Sequence, residues 1–285
     1  MTEIRSGEQL LSLSVNVFIG EPPLMEDSLI RFSGKGNILF CEQGVRLRSS
    51  IIRFDGDNSL VVLGKSWHIY VVDFTLYNNS SMMLGRNVYF NGALHAIASE
   101  ECSIVVGDEC LFSFGVWMRT ADPHLIYDGD THDRINPSKS IFIGDHVWVG
   151  QDAMILKGSR VGSGSILGAK SVVSGKTIES NSSWGGNPAK RISRNLFWER
   201  SCVHTWTAET IEKHQNYPSN EFLFVPDDST FTLDGLLGLA DPRKSSERRL
   251  SEWLSVSYDN RKRNRFAIPF VDKEQTKGRR GFFKR

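Results

Sequence analysis

The sequence predicts a mainly β chain wound as a parallel β-helix. Three observations carry that prediction. Residues 143–178 divide without a gap into six blocks of six, IGDHVW, VGQDAM, ILKGSR, VGSGSI, LGAKSV and VSGKTI. Each block opens on an aliphatic residue: Ile143, Val149, Ile155, Val161, Leu167, Val173. The fifth position is small or β-branched throughout: Val147, Ala153, Ser159, Ser165, Ser171, Thr177. A period of six is neither the 3.6 of a helix nor the 2 of a plain strand. It marks a flat-faced coil whose aliphatic residues point inward and stack on their equivalents one coil away. Glycine, second in four of the six blocks, suits corners where a Cβ would be crowded or φ is positive.

A looser copy of the pattern lies upstream, in VVLGKSWHI, MMLGRNVYF, IVVGDECLF and IFIGDHVWV. Their glycines, Gly64, Gly85, Gly107 and Gly144, are 21, 22 and 37 residues apart, and Gly162 follows after 18. Eighteen residues make three blocks, one full coil. The longer steps add a small bulge, and the step of 37 adds an excursion of about 19 residues. ILFCEQGVRL, residues 38–47, is an earlier and degenerate copy. No single coil can bury its own apolar face, so residues 38–192 are expected to form one stacked domain.

The excursion lies within residues 120–140, TADPHLIYDGDTHDRINPSKS. It is polar, turn-rich and aperiodic. A long loop on a regular scaffold is where function concentrates. Residues 1–37 are expected to be an N-terminal cap or a first irregular coil, with a strand over 11–19 and a break at Pro22-Pro23. SSWGGNP at 182–188 is turn-forming and ends the prism. Residues 193–285 then form a C-terminal extension. It is expected to be helical over 195–214, with a second helical turn opening near Thr207. Small packed elements are expected at 236–239 and 250–256 around Trp253, and a mobile basic tail over 273–285.

With 40% hydrophobic and 24% charged residues among 285, the composition is that of a soluble globular protein. No apolar run approaches a membrane span. The opening MTEIRSGEQ lacks the pattern of a signal peptide. The four cysteines, Cys41, Cys102, Cys110 and Cys202, form no CxxC pair, so reduced thiols in a cytoplasmic protein are expected, with Cys110 as buried filler. The net charge of +1 conceals a basic end, since residues 243–285 hold 14 Lys and Arg against 5 Asp and Glu. That end suits an acidic polymer or an anionic membrane surface. Nucleic acid is not among the expected partners.

Three segments resemble one family: Gly144-Asp145-His146-Val147-Trp148-Val149-Gly150, Leu167-Gly168-Ala169-Lys170-Ser171-Val172-Val173 and Gly186-Asn187-Pro188-Ala189-Lys190. Their order and spacing resemble the left-handed β-helix (hexapeptide-repeat) acyltransferases, in the branch of bacterial sugar O-acetyltransferases that modify small saccharides and capsular or exopolysaccharides. The resemblance is specific over about residues 84–192 and weaker over 38–83. It implies a left-handed coil, a homotrimer with sites between neighbouring prisms, acetyl-CoA as the donor, a saccharide acceptor and no required metal. A capsular or other cell-surface polysaccharide is the expected acceptor.

The resemblance also implies roles for residues. His124 lies in the excursion where the family's catalytic histidine sits. Taking a proton from a sugar hydroxyl needs a base of near-neutral pKa within hydrogen-bond reach. Asp122, or Asp128, would orient its ring. Trp148 and neighbouring N–H groups would stabilise the oxyanion. The donor would contact Gln151, Ala169 and Ser174, and its phosphates would meet Lys190, Arg191 and Arg194. Many relatives carry Thr-Lys where this chain has Ser174-Gly175, and Lys176, one place later, is the candidate replacement. Asn91 and Glu101 fall near positions that contact sugar hydroxyls, His95 shares their coil, and His132 and Arg134 would close over the site from a neighbouring subunit. Without such roles, His124 is an exposed loop histidine, Trp148 a packing residue, and Lys190 and Arg191 a solvated pair.

Other readings share the architecture. The γ-class carbonic anhydrases hold zinc with an H-x4-H pair and a third histidine a coil earlier. Here His124 and His132 are eight apart and no H-x4-H occurs. A small-sugar acetyltransferase, an N-acyltransferase and a non-catalytic prism are the remaining alternatives.

Overall fold

In the structure, a computed structural model that describes residues 1–256 and 262–270, the six block-opening aliphatics are all buried. The tail expected over 273–285 lies outside the described residues. One coil shows the plan: Ser81–Leu84 lies on one face, Tyr89–Phe90 on the next and Leu94–Ala98 on the third. The strands of each face pair in parallel with their equivalents in neighbouring coils. The result is a β-helix of triangular section. Face I contains Leu94–Ala98, face II Ser81–Leu84 and face III Tyr89–Phe90. Among the described residues two strands run against this direction. Thr2–Ile4 pairs antiparallel with Leu29–Phe32, and Lys190–Arg194 pairs antiparallel with Ser182–Gly185.

The pairing register explains the repeat. Ile38 pairs with Leu60 and Leu60 with Ser81, steps of 22 and 21 residues, whereas Phe142 pairs with Arg160 at the expected 18. The degenerate copy at 38–47 is a true coil, opening on strand Ile38–Cys41. Longer coils enclose more volume and are filled by aromatic rings. Phe32 and Phe54 stack 4.6 Å apart, and Phe90 stacks on Phe112 at 5.9 Å. In the 18-residue coils Val149 and Leu167 occupy the position of Phe112. The glycine column at 64, 85, 107 and 144 holds the coils together at one corner: a Cβ on Gly64 would stand 2.4 Å from the Gly85 carbonyl oxygen. Cys110 is buried in the prism, as expected.

Three expectations need correction. Val161 pairs with Ile178, a step of 17. The turn through Gly175, at φ +60, is one residue short, so Ile178 faces inward and Thr177 is exposed. The strand expected over 11–19 is instead a 3-10 helix, Gly7–Ser12, followed by strand Val17–Gly20. The helix expected from 195 begins only at α1, Ala208–Lys213, with Thr207 as its N-cap. Before it runs an irregular strap interrupted by the short 3-10 helix Val203–Thr205, because Trp198 is buried against the prism and tertiary packing overrides local preference.

The extension continues into α2, Leu233–Leu239, and α3, Ser246–Leu254, where the sequence placed small elements. Leu236, Leu239, Leu250, Trp253 and Phe266 pack on Ile38, Leu60, Val62, Met83, Val105 and Phe142, the outward side chains of face II. Arg249 of α3 is wholly buried. Its guanidinium donates to the Asn79 carbonyl at 2.9 Å, to Ser81 Oγ at 2.5 Å and to the Asn58 carbonyl, spanning two coils. Arg265 is buried beside Asp145 and Asp108, at 2.9 and 3.0 Å. Among the described residues no helix is long and apolar enough to cross a membrane.

Candidate active site

The excursion leaves face I after Trp117–Arg119 and returns on face II at Ile141–Ile143. It therefore stands on the edge between faces I and II. Its shape comes from polar contacts with little sign in the sequence. Buried Asn136 accepts from the Ile126 N–H at 2.9 Å. Its amide donates to the His124 carbonyl at 2.8 Å and to Asp122 Oδ2 at 3.2 Å. Lys157 Nζ donates to the same Asp122 oxygen at 2.6 Å and holds that carboxyl below its ordinary pKa. Arg134 is paired with Glu100, whose pKa it brings down to about 2. Asp128 accepts from the N–H groups of Asp130 and Thr131, which lowers its pKa.

This scaffold fixes the predicted residues. His124 is exposed, and its ring makes no hydrogen bond within the described residues. The carboxylate expected to orient it, Asp122, is engaged by Lys157 and Asn136. His132 sits exposed in the loop turn at φ +60. Arg134 is anchored to its own prism through Glu100.

Trp148 projects from face III, between Leu111 and Ile166 of adjacent coils. The strap over 198–204 runs beside it and encloses a cavity of about 680 Å³, lined by Tyr89, Asn91, Trp148, Trp198, Arg200 and His204 among others. The strap is pinned at both sides. Trp198 stacks on His146 at 4.1 Å and donates from its indole to the His146 carbonyl at 2.9 Å. Arg200 donates to the Glu109 carbonyl at 2.9 Å and lies 3.1 Å from His68 Nε2. Burial, then the charges of Arg200 and Arg46, hold the His68 pKa down, so a neutral ring can accept from Arg200. Aromatic walls with a few fixed polar groups suit a saccharide, whose C–H faces pack on rings while its hydroxyls seek partners. Tyr89, Trp198 and Arg200 were not singled out from the sequence, since only the docked strap makes them neighbours of Trp148.

The other candidates fall elsewhere. His95 lies on face I, stacked on Trp117 at 4.5 Å and 3.3 Å from Asp73 Oδ2. Glu101 stands on the edge between faces I and II and accepts from the Asn79 amide at 2.8 Å. Gln151 and Ala169 occupy the edge between faces III and I in successive coils, where the Lys170 N–H meets the Gln151 carbonyl at 2.7 Å. Ser174 ends a face I strand, and Lys176 reaches over the ring of Trp184 at 6.0 Å. Arg191 pairs with Glu179 at 2.6 Å, and both Arg191 and Arg194 lie against Phe270. Lys190 is exposed. In a triangular prism the edge between faces I and II is opposite face III. The His124 loop and Trp148 are therefore on opposite sides of one chain.

A family model described as bacterial transferase hexapeptide (six repeats) matches residues 140–175. The polysialic acid O-acetyltransferase of Neisseria meningitidis is 34% identical over 198 residues, covering 70% of this chain and 91% of that protein. A polysialic acid O-acetyltransferase of Escherichia coli O1:K1 / APEC is 40% identical over 129 residues, 45% of this chain and 41% of that protein. Among solved structures, that of the polySia specific acetyltransferase NeuO matches with a TM-score of 0.59 at 30% identity, over 70% of this chain and 93% of that one. The polysialic acid O-acetyltransferase OatWY, at 22% identity and a TM-score of 0.51 over 72% of this chain and all of that one, shares the fold. With its hexapeptide coils, its projecting loop and a relative 34% identical over 91% of that protein's length, the chain belongs to the left-handed β-helix family of O-acetyltransferases and is an acyltransferase.

Proposed function

We propose that the chain moves an acetyl group from acetyl-CoA to a hydroxyl of an acidic capsular polysaccharide of the polysialic acid class. One observation carries this: the identity to a polysialic acid O-acetyltransferase extends over 91% of that protein. The opposed positions of the loop and Trp148 support a site made by two copies, the loop of one meeting face III of the next, as in a homotrimer. His124, exposed and without a ring partner among the described residues, is then free to meet the acceptor. It takes the hydroxyl proton as the oxygen bonds to the thioester carbonyl carbon. The Trp148 indole and nearby N–H groups meet the oxyanion. The C–S bond then breaks, and His124 returns its proton to the thiolate. Gln151, Ala169, Ser174, Lys176, Lys190 and Arg191 are the donor contacts in this reading, and Asn91, in the cavity with Trp148, is an acceptor contact. His95, Glu101, His132 and Arg134 are more remote from that cavity, and Asp122 acts by shaping the loop. A cytoplasmic setting suits a CoA-dependent reaction, and the basic stretch 273–285 suits contact with the polymer or an anionic membrane.

Thiol release from acetyl-CoA, with polysialic acid and a neutral oligosaccharide as acceptors, tests the reading. The expected result is release that depends on the acidic acceptor and falls at least about a hundredfold in His124→Ala. Equal activity on the neutral acceptor would overturn the acceptor class. Near wild-type turnover by His124→Ala would overturn the base.

A further inference from the structure

A large groove lies away from Trp148. It has a volume of about 940 Å³ and runs between α2 and the edge of faces I and II. Arg160 lines it, projecting from face II between Phe142 and Thr177. The other deeply placed arginines beneath the extension have partners for their terminal nitrogens, Arg249 in carbonyls and Ser81, Arg265 in Asp145 and Asp108, although Nε of Arg249 is itself without one. Arg160 has none. It is half-buried, its Nε has lost its solvent, and no hydrogen bond or ion pair reaches its guanidinium from any described residue. Burial also weakens its hold on its proton. A guanidinium partly withdrawn from water without a partner is destabilised, and an anion that met it would recover part of that free energy.

The surroundings are set for an outside anion. Three of the carboxylates lining the groove are already engaged: Glu100 with Arg134 and Ser138, Glu101 with Asn79, Asp241 with Arg243. The fourth, Asp234, is exposed at the rim. Lys139 adds a second cation at the rim, and it forms no ion pair with a described residue. Ser140 and Thr177 offer hydroxyls, and Leu233 and Leu237 an apolar side. Cations for a carboxylate, hydroxyls for hydroxyls and an apolar wall for C–H faces together match a sugar acid. Residues 138–140 are also the returning limb of the His124 loop, so a polymer lying here would lead towards it.

We infer that this groove, with Arg160 on its floor, is a second binding site for carboxylates of an acidic polysaccharide, holding a segment of the acceptor beyond the residue being acetylated. The inference rests on the acidic acceptor proposed above. It is tested on the full chain by direct binding of unacetylated sialic acid oligomers without donor, beside steady-state kinetics. Arg160→Gln is expected to weaken oligomer binding and raise the oligomer KM about tenfold, with kcat and the acetyl-CoA KM unchanged. Lys139→Gln, at an exposed side chain, is expected to act in the same direction and less. A carboxyl-reduced oligomer is expected to bind wild type and both variants alike. Unchanged oligomer binding in Arg160→Gln overturns the inference. So does a rise confined to the acetyl-CoA KM, which would give Arg160 to the donor phosphates. Binding that depends on Arg160, without any acetylation, would support this site and overturn the proposed reaction.

Discussion

His146 shows how one side chain fixes the wall of the Trp148 cavity. Its ring lies between Trp198 at 4.1 Å and Phe222 at 4.3 Å, and Nε2 is 3.0 Å from the Trp198 carbonyl. A carbonyl only accepts, so Nε2 carries the proton, and Nδ1 is left buried without a partner. Burial brings the pKa down to about 4. The unfolded chain binds that proton near pH 6.5 and the folded one only near 4, so the contribution is complete above 6.5 and is lost as pH falls between them. The shift corresponds to about 3 kcal/mol. Thermal melts of wild type are expected to decline more steeply from pH 6.5 to 4 than those of His146→Phe, which cannot titrate; parallel curves would remove this role.

At the scale of elements, α3 acts as a latch across coils. Beyond Arg249, its Ser246 hydroxyl donates to the Gly36 carbonyl at 2.9 Å and its N–H donates to Asn58 Oδ1 at 2.8 Å. Trp253 fills the interface beneath. Trp253→Ala is expected to cost about 3–5 kcal/mol at this contact. Hydrogen exchange would show the loss as earlier opening of α2 and α3, with the prism unchanged. How much of this was legible in the sequence follows from where each shape is decided. The coils were readable because one steric rule repeats, and Ile143 to Val173 obey it. The short turn at Gly175 was not, because dropping one residue leaves a pattern that still reads as six. The strap was misread as helix because its path is set by Trp198 docking on His146, fifty-two positions away. In the site, His124 and Trp148 stood out through their motif. Asn136 and Arg200 did not, since a polar residue among polar residues gives no sign of what it will hold.

For the whole molecule, a site shared between copies makes a prediction that no single-chain site would. Mixed trimers of His124→Ala and Trp148→Ala, each inactive alone, are expected to regain about a quarter of wild-type activity, because some interfaces join an intact loop to an intact face III. Absence of recovery in demonstrably mixed trimers would place both residues in one chain's site. The covering of face II by α2 and α3 leaves face I, and the part of face III that the strap does not cover, for such contacts. The two reversed strands have a different consequence. A stack of parallel coils ends in open backbone on which another stack could continue, as fibres do. Thr2–Ile4 on face I and Lys190–Arg194 on face III turn the chain direction at opposite ends. A further parallel coil cannot keep register there, so the same strands that finish the prism also keep it from polymerising end to end.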